Sequence, residues 1–423
     1  VSIRSLAYND SYQSDTEAVV PGGSNFVLNN QILSSEWLNH VRLRPGMYIG
    51  GIDLTALHRM AEASVRHSLD KAFADEVRAI QVTLLPNCSI RIVDDGKGLP
   101  VSRLPSSDKS VLEMYLTSLG AALDDSENIV KSYPSVSGSW TAMIPVVNAL
   151  SAEFQAEIRR NGYLWQQAYA LGVPKSDLIQ LRPLEPDETT GTQFTFRPDF
   201  TIFEPNEFSY TTIAELLRDL AYFLPGVAFT LRDERGEQVI EERFHSENGV
   251  ADFVAALNKG PTSLHPIVSG SREVEYRNQA GILYKVSFDF ALQYADDSQT
   301  ILRSYANTEA TPEHGIHVFA LLSAIADFAN QYEAIFPGRF KGGLDRNAVL
   351  KGLTAVVHLK HPNTSFAGAI RREVINSDVY GLVGGFVYET LASQTKDISS
   401  SIIEKCISNR RRKGAANTRP SPE

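Results

Sequence analysis

The sequence is poor in cysteine. Its 423 residues hold two, Cys88 and Cys406, in unrelated surroundings. Two thiols so placed do not make a paired-cysteine metal site, and they argue against a disulfide framework. A reducing cytosol is the expected compartment, so the location read from the sequence is cytoplasmic. Long apolar runs are missing as well. No uninterrupted stretch approaches the roughly 18–20 residues that a membrane span requires, so no membrane partner is expected. The first residues show no basic segment followed by an apolar core, and no secretory signal is expected. Positive charge is in deficit: 40 Lys and Arg stand against 50 Asp and Glu, a net charge of −10. That excludes a global basic field for nucleic acid, so any DNA contact must come from a local patch. The one basic run is Arg410, Arg411, Arg412 and Lys413. It reads as part of a solvated, disordered tail, with a weak phosphate-binding arm as the other reading.

What is present is an ordinary globular composition, 43% hydrophobic and 21% charged, in a chain long enough for two cores. Residues 1–35 are rich in Ser, Asn and Gln without a sustained period, and read as an arm. The segment 54–74 places Leu57, Met60, Ala61, Ser64, Val65, Leu69 and Phe73 on or near one stripe, the mark of an amphipathic helix. AIQVTLLP and SIRIVDDG then alternate like paired strands, joined at Pro86 and Asn87. A helix through SVLEMYLTSLGAAL, strands over 152–170 and 191–199, and a helix over 211–224 follow. The polar run RDERGEQ (232–238) reads as a hairpin turn. Beyond it helix and strand alternate anew, which places the seam between two α/β units near 232–245. The expected divisions are an arm over 1–35, a first unit over 36–232, a second over 233–395, and a disordered basic tail over 396–423.

Two short stretches carry more than periodicity. RPGMYIG (44–50) sets two glycines and a proline around two large apolar residues, which describes a shaped loop. Fifty residues on, VDDGKGLP (93–100) is a strand that ends in two carboxylates, followed by glycines at alternate positions. An acidic side chain at a strand end can accept from an amino group, and Gly96 and Gly98 let a flat ring approach the backbone. VVNALS, TGTQFTFRPD and EHGIH (313–317) follow in order.

This set resembles the B subunit of DNA gyrase and its relative in topoisomerase IV, over roughly residues 30–395. The resemblance implies an α+β fold of the GHKL (Bergerat) type: a mixed sheet backed by helices that holds adenine nucleotide, followed by an α/β transducer. It implies that ATP-driven dimerisation is the function to test. In the family, an aspartate that binds adenine matches Asp94, a following glycine matches Gly98, and a threonine that helps hold the base matches Thr192. That corner is either a surviving base pocket or only a good turn.

The rest of the pattern departs from the family. The general-base glutamate matches Ala63. Glu62 lies beside it, about 100° around a helix, and reads as a solvated charge. The Mg²⁺-ligating asparagine matches His67, a poor replacement because Mg²⁺ prefers hard oxygen ligands. The acid before it matches Arg66, read as a surface or core-edge salt bridge, with direct phosphate neutralisation as the lesser reading. The glycine-rich lid, close to SGGLHGVG in the family, reads SGSWTAMI within VSGSWTAMIPVVNALS (136–151). Of its glycines only Gly138 is left. Trp140 and Met143 are bulky, Thr141 is β-branched, and Pro145 removes an amide that could face phosphate. The expectation is that Trp140 and Met143 close or cover the site. The transducer's glutamine–threonine–lysine loop matches Ala369, Ile370 and Arg371. Only the charge of Arg371 survives, on a planar fork rather than a point charge.

Losing the general base alone costs about 10²–10⁴-fold in rate, and losing the phosphate cradle removes the electrostatic core of phosphoryl transfer. The expected protein is therefore a gyrase-B-like pseudo-ATPase with no cofactor and no catalytic residue. It would act as a homodimer or in a heteromer with a gyrase-like or other chain. The alternative is a divergent ATP-binding subunit of a type II topoisomerase that works with other chains, using ATP and Mg²⁺ through Asp94, Gly98, Thr192 and Arg371. The Glu-Gly-Asp and Asp-x-Asp motifs of the family's DNA-cleavage domain do not occur in these residues, so this stretch is not expected to cut and rejoin DNA alone.

Overall fold

The computed structural model describes residues 33–69, 72, 76–104, 107–124, 126–130, 143–277, 283–307, 309–335, 343–344, 346–368 and 372–416. In chain order the first strands are β1 (Ala79–Leu85), β2 (Ser89–Asp94), β3 (Ala122–Leu123), β4 (Ile129–Val130), β5 (Ser151–Arg160) and β6 (Tyr163–Ala170). They are followed by β7 (Val173–Pro174), β8 (Ile179–Pro183), β9 (Gly191–Pro198), β10 (Ala228–Asp233) and β11 (Ile240–Phe244). A nine-stranded sheet runs β11-β10-β1-β2-β9-β5-β6-β7, with β8 also on β6, while β3 and β4 pair apart. Only β1 and β10 run parallel in that sheet; its other pairings are antiparallel. The β1–β2 hairpin turns at Asn87 and Cys88, both in the left-handed region with φ of 60° and 56°.

Helices cover this sheet because each presents an apolar stripe to it. Helix Leu54–His67 buries Leu57, Met60, Ala61, Ser64 and Val65, five of the seven positions expected on its stripe. Asp53 caps its start, accepting from the Ala56 N–H at 3.1 Å. It packs on β2 and on helices Ile144–Ala149 and Tyr210–Phe223. Helix Leu33–Leu43 starts two residues before the point where the arm was expected to end. Arg42 ties it down, donating to the Ala149 carbonyl at 2.8 Å and pairing with Asp199 at 2.6 Å.

The second sheet is built from β12 (Val268–Arg277), β13 (Leu283–Tyr294), β14 (Ile301–Ala306), β15 (Glu309–Ala310) and β16 (Leu353–Lys360), in the order β12-β13-β16-β14-β15. β16 is covered on both faces, and its residues divide by parity. Leu353, Ala355, Val357 and Leu359 enter a core with helices Ile316–Ile335 and Val379–Ala392. Val356 joins the core of the first sheet instead, along with Ala291 and Tyr305, because helices Tyr210–Phe223 and Val250–Leu257 lie on that face. Phe223 stands 4.4 Å from the Tyr305 ring and 4.5 Å from the His358 ring, and Tyr222 stacks on Phe253 at 4.5 Å. Aromatic packing of this kind joins the two sheets.

Two divisions expected from the sequence need correction. The seam at 232/233 falls inside β10, and the chain stays in the first sheet until Phe244. RDERGEQ is a hairpin turn, as its composition indicates, but both of its strands belong to the first sheet. The segment 396–423 is not a disordered tail throughout: Lys396–Ala416 is a helix. Ile402, Ile403, Cys406 and Ile407 are buried at helical spacing, so an apolar stripe anchors what the basic run made look solvated. Residues 417–423, and the side chains of Arg411, Arg412 and Lys413, lie outside the described set.

Candidate functional site

The matched residues converge where β2 ends. Its register against β9 sets Val93 opposite Gln193, so Asp94 and Thr192 sit at adjoining strand ends. Asp94 is 2% exposed. Its Oδ2 accepts from Ser68 Oγ at 2.7 Å, and its Oδ1 accepts from the N–H groups of Gly96 at 3.1 Å and Thr192 at 3.2 Å. Those three bonds leave one of a carboxylate's roughly four lone-pair positions. The Thr192 hydroxyl beside it is buried and has no hydrogen-bond partner among the described residues. A group left in that state costs about 1–3 kcal/mol, which a bound partner would recover. A free carboxylate lone pair next to an unused hydroxyl is a donor–acceptor set suited to a planar base that carries an amino group.

Backbone packing fixes this corner. Gly98 has φ +77°, and a Cβ there would come within 2.9 Å of the Arg159 carbonyl oxygen. Gly191 is tighter still, since a Cβ would lie 2.1 Å from the Asp94 carbonyl oxygen. Two arginines staple the loop after β2. Arg159 donates to the Asp94 carbonyl at 3.1 Å and the Thr189 carbonyl at 2.9 Å. Arg160 donates to the Gly98 carbonyl at 2.7 Å and pairs with Glu127 at 2.7 Å.

The side of the site that would do chemistry is different. Ala63 is fully buried and has no group to accept a proton. Glu62 is not a free solvated charge: it is half-buried and pairs with Arg66, whose Nε donates to it at 2.9 Å across one helical turn. Arg66 is buried and makes the core-edge ion pair. His67 is 4% exposed, with Nδ1 3.0 Å from the Tyr115 hydroxyl. Its ring lies 5.6 Å from that of Tyr115 and 5.3 Å from that of Phe194. The imidazole is thus held in an aromatic box.

Met143 is half-buried and packs against the first core, just ahead of helix Ile144–Ala149, which takes Pro145 in its first turn. Asn148 on that helix donates to the Leu116 carbonyl at 3.0 Å. Gly138, Trp140 and Thr141, and with them Ala369, Ile370 and Arg371, lie outside the described residues. Of the expected contributors the structure therefore gathers Asp94, Gly98 and Thr192, and adds Ser68, which the sequence pattern did not single out. The signal for Ser68 was available: it follows the matched helix by one residue and faces the strand end.

Among the described residues, a nucleotide with its metal meets only part of what it needs. The base-facing donors and acceptors are in place. Neither Ala63 nor the boxed His67 offers a hard oxygen to Mg²⁺, and no cluster of three or more His, Cys, Asp or Glu occurs among the described residues.

A helix-backed mixed sheet with a buried polar corner at one strand end, joined to a second mixed sheet, defines the GHKL-type ATPase fold with a transducer-like unit. The sequence profile described as DNA gyrase B matches residues 249–420. The B subunit of Haloferax volcanii DNA gyrase is 34% identical over 398 residues, covering 91% of this chain and 60% of that protein. Its Streptomyces coelicolor counterpart is 32% identical over 394 residues, 88% of this chain and 56% of its own length. The chain thus spans about three-fifths of the relatives it matches. Among solved structures, the 43K ATPase domain of Thermus thermophilus gyrase B, in complex with an aminocoumarin, superposes with a TM-score of 0.74 at 28% identity, covering 91% of this chain and 97% of that one. The topoisomerase IV ATP-binding domain of Francisella tularensis shares the fold at TM-score 0.69 and 23% identity, covering 89% and 97%. The chain belongs to the family of gyrase and topoisomerase IV B subunits, and corresponds to their N-terminal region.

Proposed function

We propose that this chain is a gyrase-B-like pseudo-ATPase, in which the fold serves dimerisation or partner binding and ATP hydrolysis has been lost. One observation carries the reading: the position of the general base is a fully buried alanine, on the same helix as a metal-ligand position that is an aromatic-boxed histidine. Without a base, no side chain at that position can take the proton of an attacking water. Without the metal ligand, charge on the leaving phosphate is not stabilised from that side. The partner is a second copy, a gyrase-like chain or another protein, and any DNA contact is confined to a local basic patch such as Arg410–Lys413.

A second reading has its own support. The unused Thr192 hydroxyl beside the remaining lone pair of Asp94 favours a divergent subunit that still binds ATP and takes the missing groups from another chain. Calorimetric titration of the chain with a non-hydrolysable ATP analogue and Mg²⁺, with mass followed by light scattering, separates the two. The pseudo-ATPase gives no heat and no mass change at millimolar nucleotide. Micromolar binding accompanied by dimerisation would overturn it in favour of the second reading.

A further inference from the structure

Four polar side chains form a row across the second sheet, on the face that meets the first. Strand register places Ser271 opposite Asp289, Asp289 opposite His358, and His358 opposite Tyr305. Ser271 Oγ donates to Asp289 at 2.5 Å. His358 is fully buried. Its Nε2 donates to the Asn307 carbonyl at 2.6 Å, and since a carbonyl only accepts, that nitrogen carries the proton of the neutral ring. Nδ1 therefore presents a lone pair. It lies 3.4 Å from Asp289 Oδ2 and makes no hydrogen bond. The ring's face packs on Phe223 of helix Tyr210–Phe223, which belongs to the first sheet.

Asp289 on its own would favour a proton on Nδ1. Lys360, however, already sits 3.4 Å from the same oxygen. The Asp289–Lys360 pair is neutral, so protonating His358 in place adds an uncompensated charge beneath Phe223 and Tyr305. We propose that His358 is an acid-release catch: it takes up a proton most readily when helix Tyr210–Phe223 lifts from the second sheet, so acid loosens the joint between the two sheets.

The surroundings agree in direction. Burial lowers the pKa of His358, with Asp289 pulling it back up and Lys360 pushing it down. Burial would raise that of Asp289, but the Lys360 ammonium and the Ser271 hydroxyl act against it and keep the carboxyl below the carboxylate range. His317, at the start of helix Ile316–Ile335, is pushed down to about 3 and stays neutral. His314, in the turn just before it, is also lowered by burial, with Arg303 adding to the shift. On β14, Tyr305 is raised by burial, with Asp219 adding and Arg303 opposing. One group opposes the catch: Asp219 on helix Tyr210–Phe223 is raised to about 6 by burial, against Arg218 and Arg303, and its neutralisation in acid favours the closed joint. The catch acts through position in the fold, whatever the nucleotide corner binds.

One proton coupled to opening multiplies the open population by up to tenfold per pH unit below the imidazole range. Hydrogen exchange of the full chain, corrected for intrinsic pH dependence, reads this in the amides of helix Tyr210–Phe223 and β14 between pH 7.5 and 5. The wild-type chain is expected to lose protection there as pH falls. His358→Gln, which keeps a donor for the Asn307 carbonyl, is expected to lose the response. In Lys360→Gln, Asp289 is left to pair with the imidazolium, so the response is expected to shrink. Should His358→Gln not fold, the wild-type and Lys360→Gln profiles still decide the matter. Unchanged wild-type protection at pH 5, equal loss in His358→Gln, or an undiminished response in Lys360→Gln would overturn the proposal.

Discussion

Ala63→Glu restores in one step the group that the family places at this position, and its outcome turns on whether the position faces a pocket or a core. Ala63 is fully buried, and the same helix carries the boxed His67 and the Glu62–Arg66 pair. The new carboxylate would enter that environment without a partner. A buried charge left unpaired costs about 3–5 kcal/mol, and the added volume costs about 1–3 kcal/mol more in a packed core. With a urea slope of about 3 kcal/mol per molar, the denaturation midpoint would fall by roughly 1–3 M. Burial raises the carboxyl's folded-state pKa above its unfolded value of about 4.3. The penalty is therefore smallest below that value, where both states are protonated, and grows as pH rises through the folded-state pKa. The midpoint deficit at pH 8 should exceed that at pH 5. Tryptophan fluorescence is the assay, because all three tryptophans, Trp37, Trp140 and Trp165, precede the second sheet. A variant with wild-type midpoints at both pH values that also hydrolyses ATP would show that position 63 opens onto an attacking water, and would refute the reasoning.

Three other substitutions test separate parts of the structure. Gly191→Ala drives a Cβ to 2.1 Å from the Asp94 carbonyl and is expected to cost at least the roughly 1–3 kcal/mol of overpacking; a wild-type denaturation midpoint would contradict the close approach. Arg42→Ala removes the bonds to Asp199 and the Ala149 carbonyl and should lower stability by about 1–3 kcal/mol, seen as an earlier melt of the tryptophan signal. His317 is neutral in the fold, its pKa pushed down to about 3 by burial, with His314 and His358 adding to the shift, but titrates near 6.5 when unfolded. Its contribution is thus intact above about pH 6.5 and lost as pH falls from there towards 3, and His317→Asn should flatten the acid side of a stability–pH profile measured by urea melts.

Much of this was legible in local sequence, and the limits of that legibility are physical. The β1–β2 hairpin and helix Leu54–His67 follow from period and turn residues that lie within the segments themselves. Asp94, Gly98 and Thr192 were readable because two short motifs mark them, although Thr192 reaches Asp94 only through the β2–β9 register. His67 was readable as a failed metal ligand but not as a boxed ring, because Tyr115 and Phe194 arrive from 48 and 127 positions away. The basic run at 410–413 masked the apolar stripe that precedes it, and charge won over period in the reading of 396–423. The 232/233 division failed because a polar turn looks the same whether its strands share a sheet or part.

Helix Lys396–Ala416 has a practical consequence for anyone dividing the molecule. Lys405 donates to the Asp297 carbonyl at 2.7 Å, and Asn409 donates to the carbonyls of Ala348 and Lys351 at 2.9 Å each. A fragment cut at 395, where composition invites the cut, would strip those carbonyls of their donors and leave a trough where Ile402, Ile403 and Cys406 had lain. Such a fragment would be sticky, and its self-association would be an artefact of the cut. Measurements of dimerisation on this chain therefore need an end point beyond Asn409.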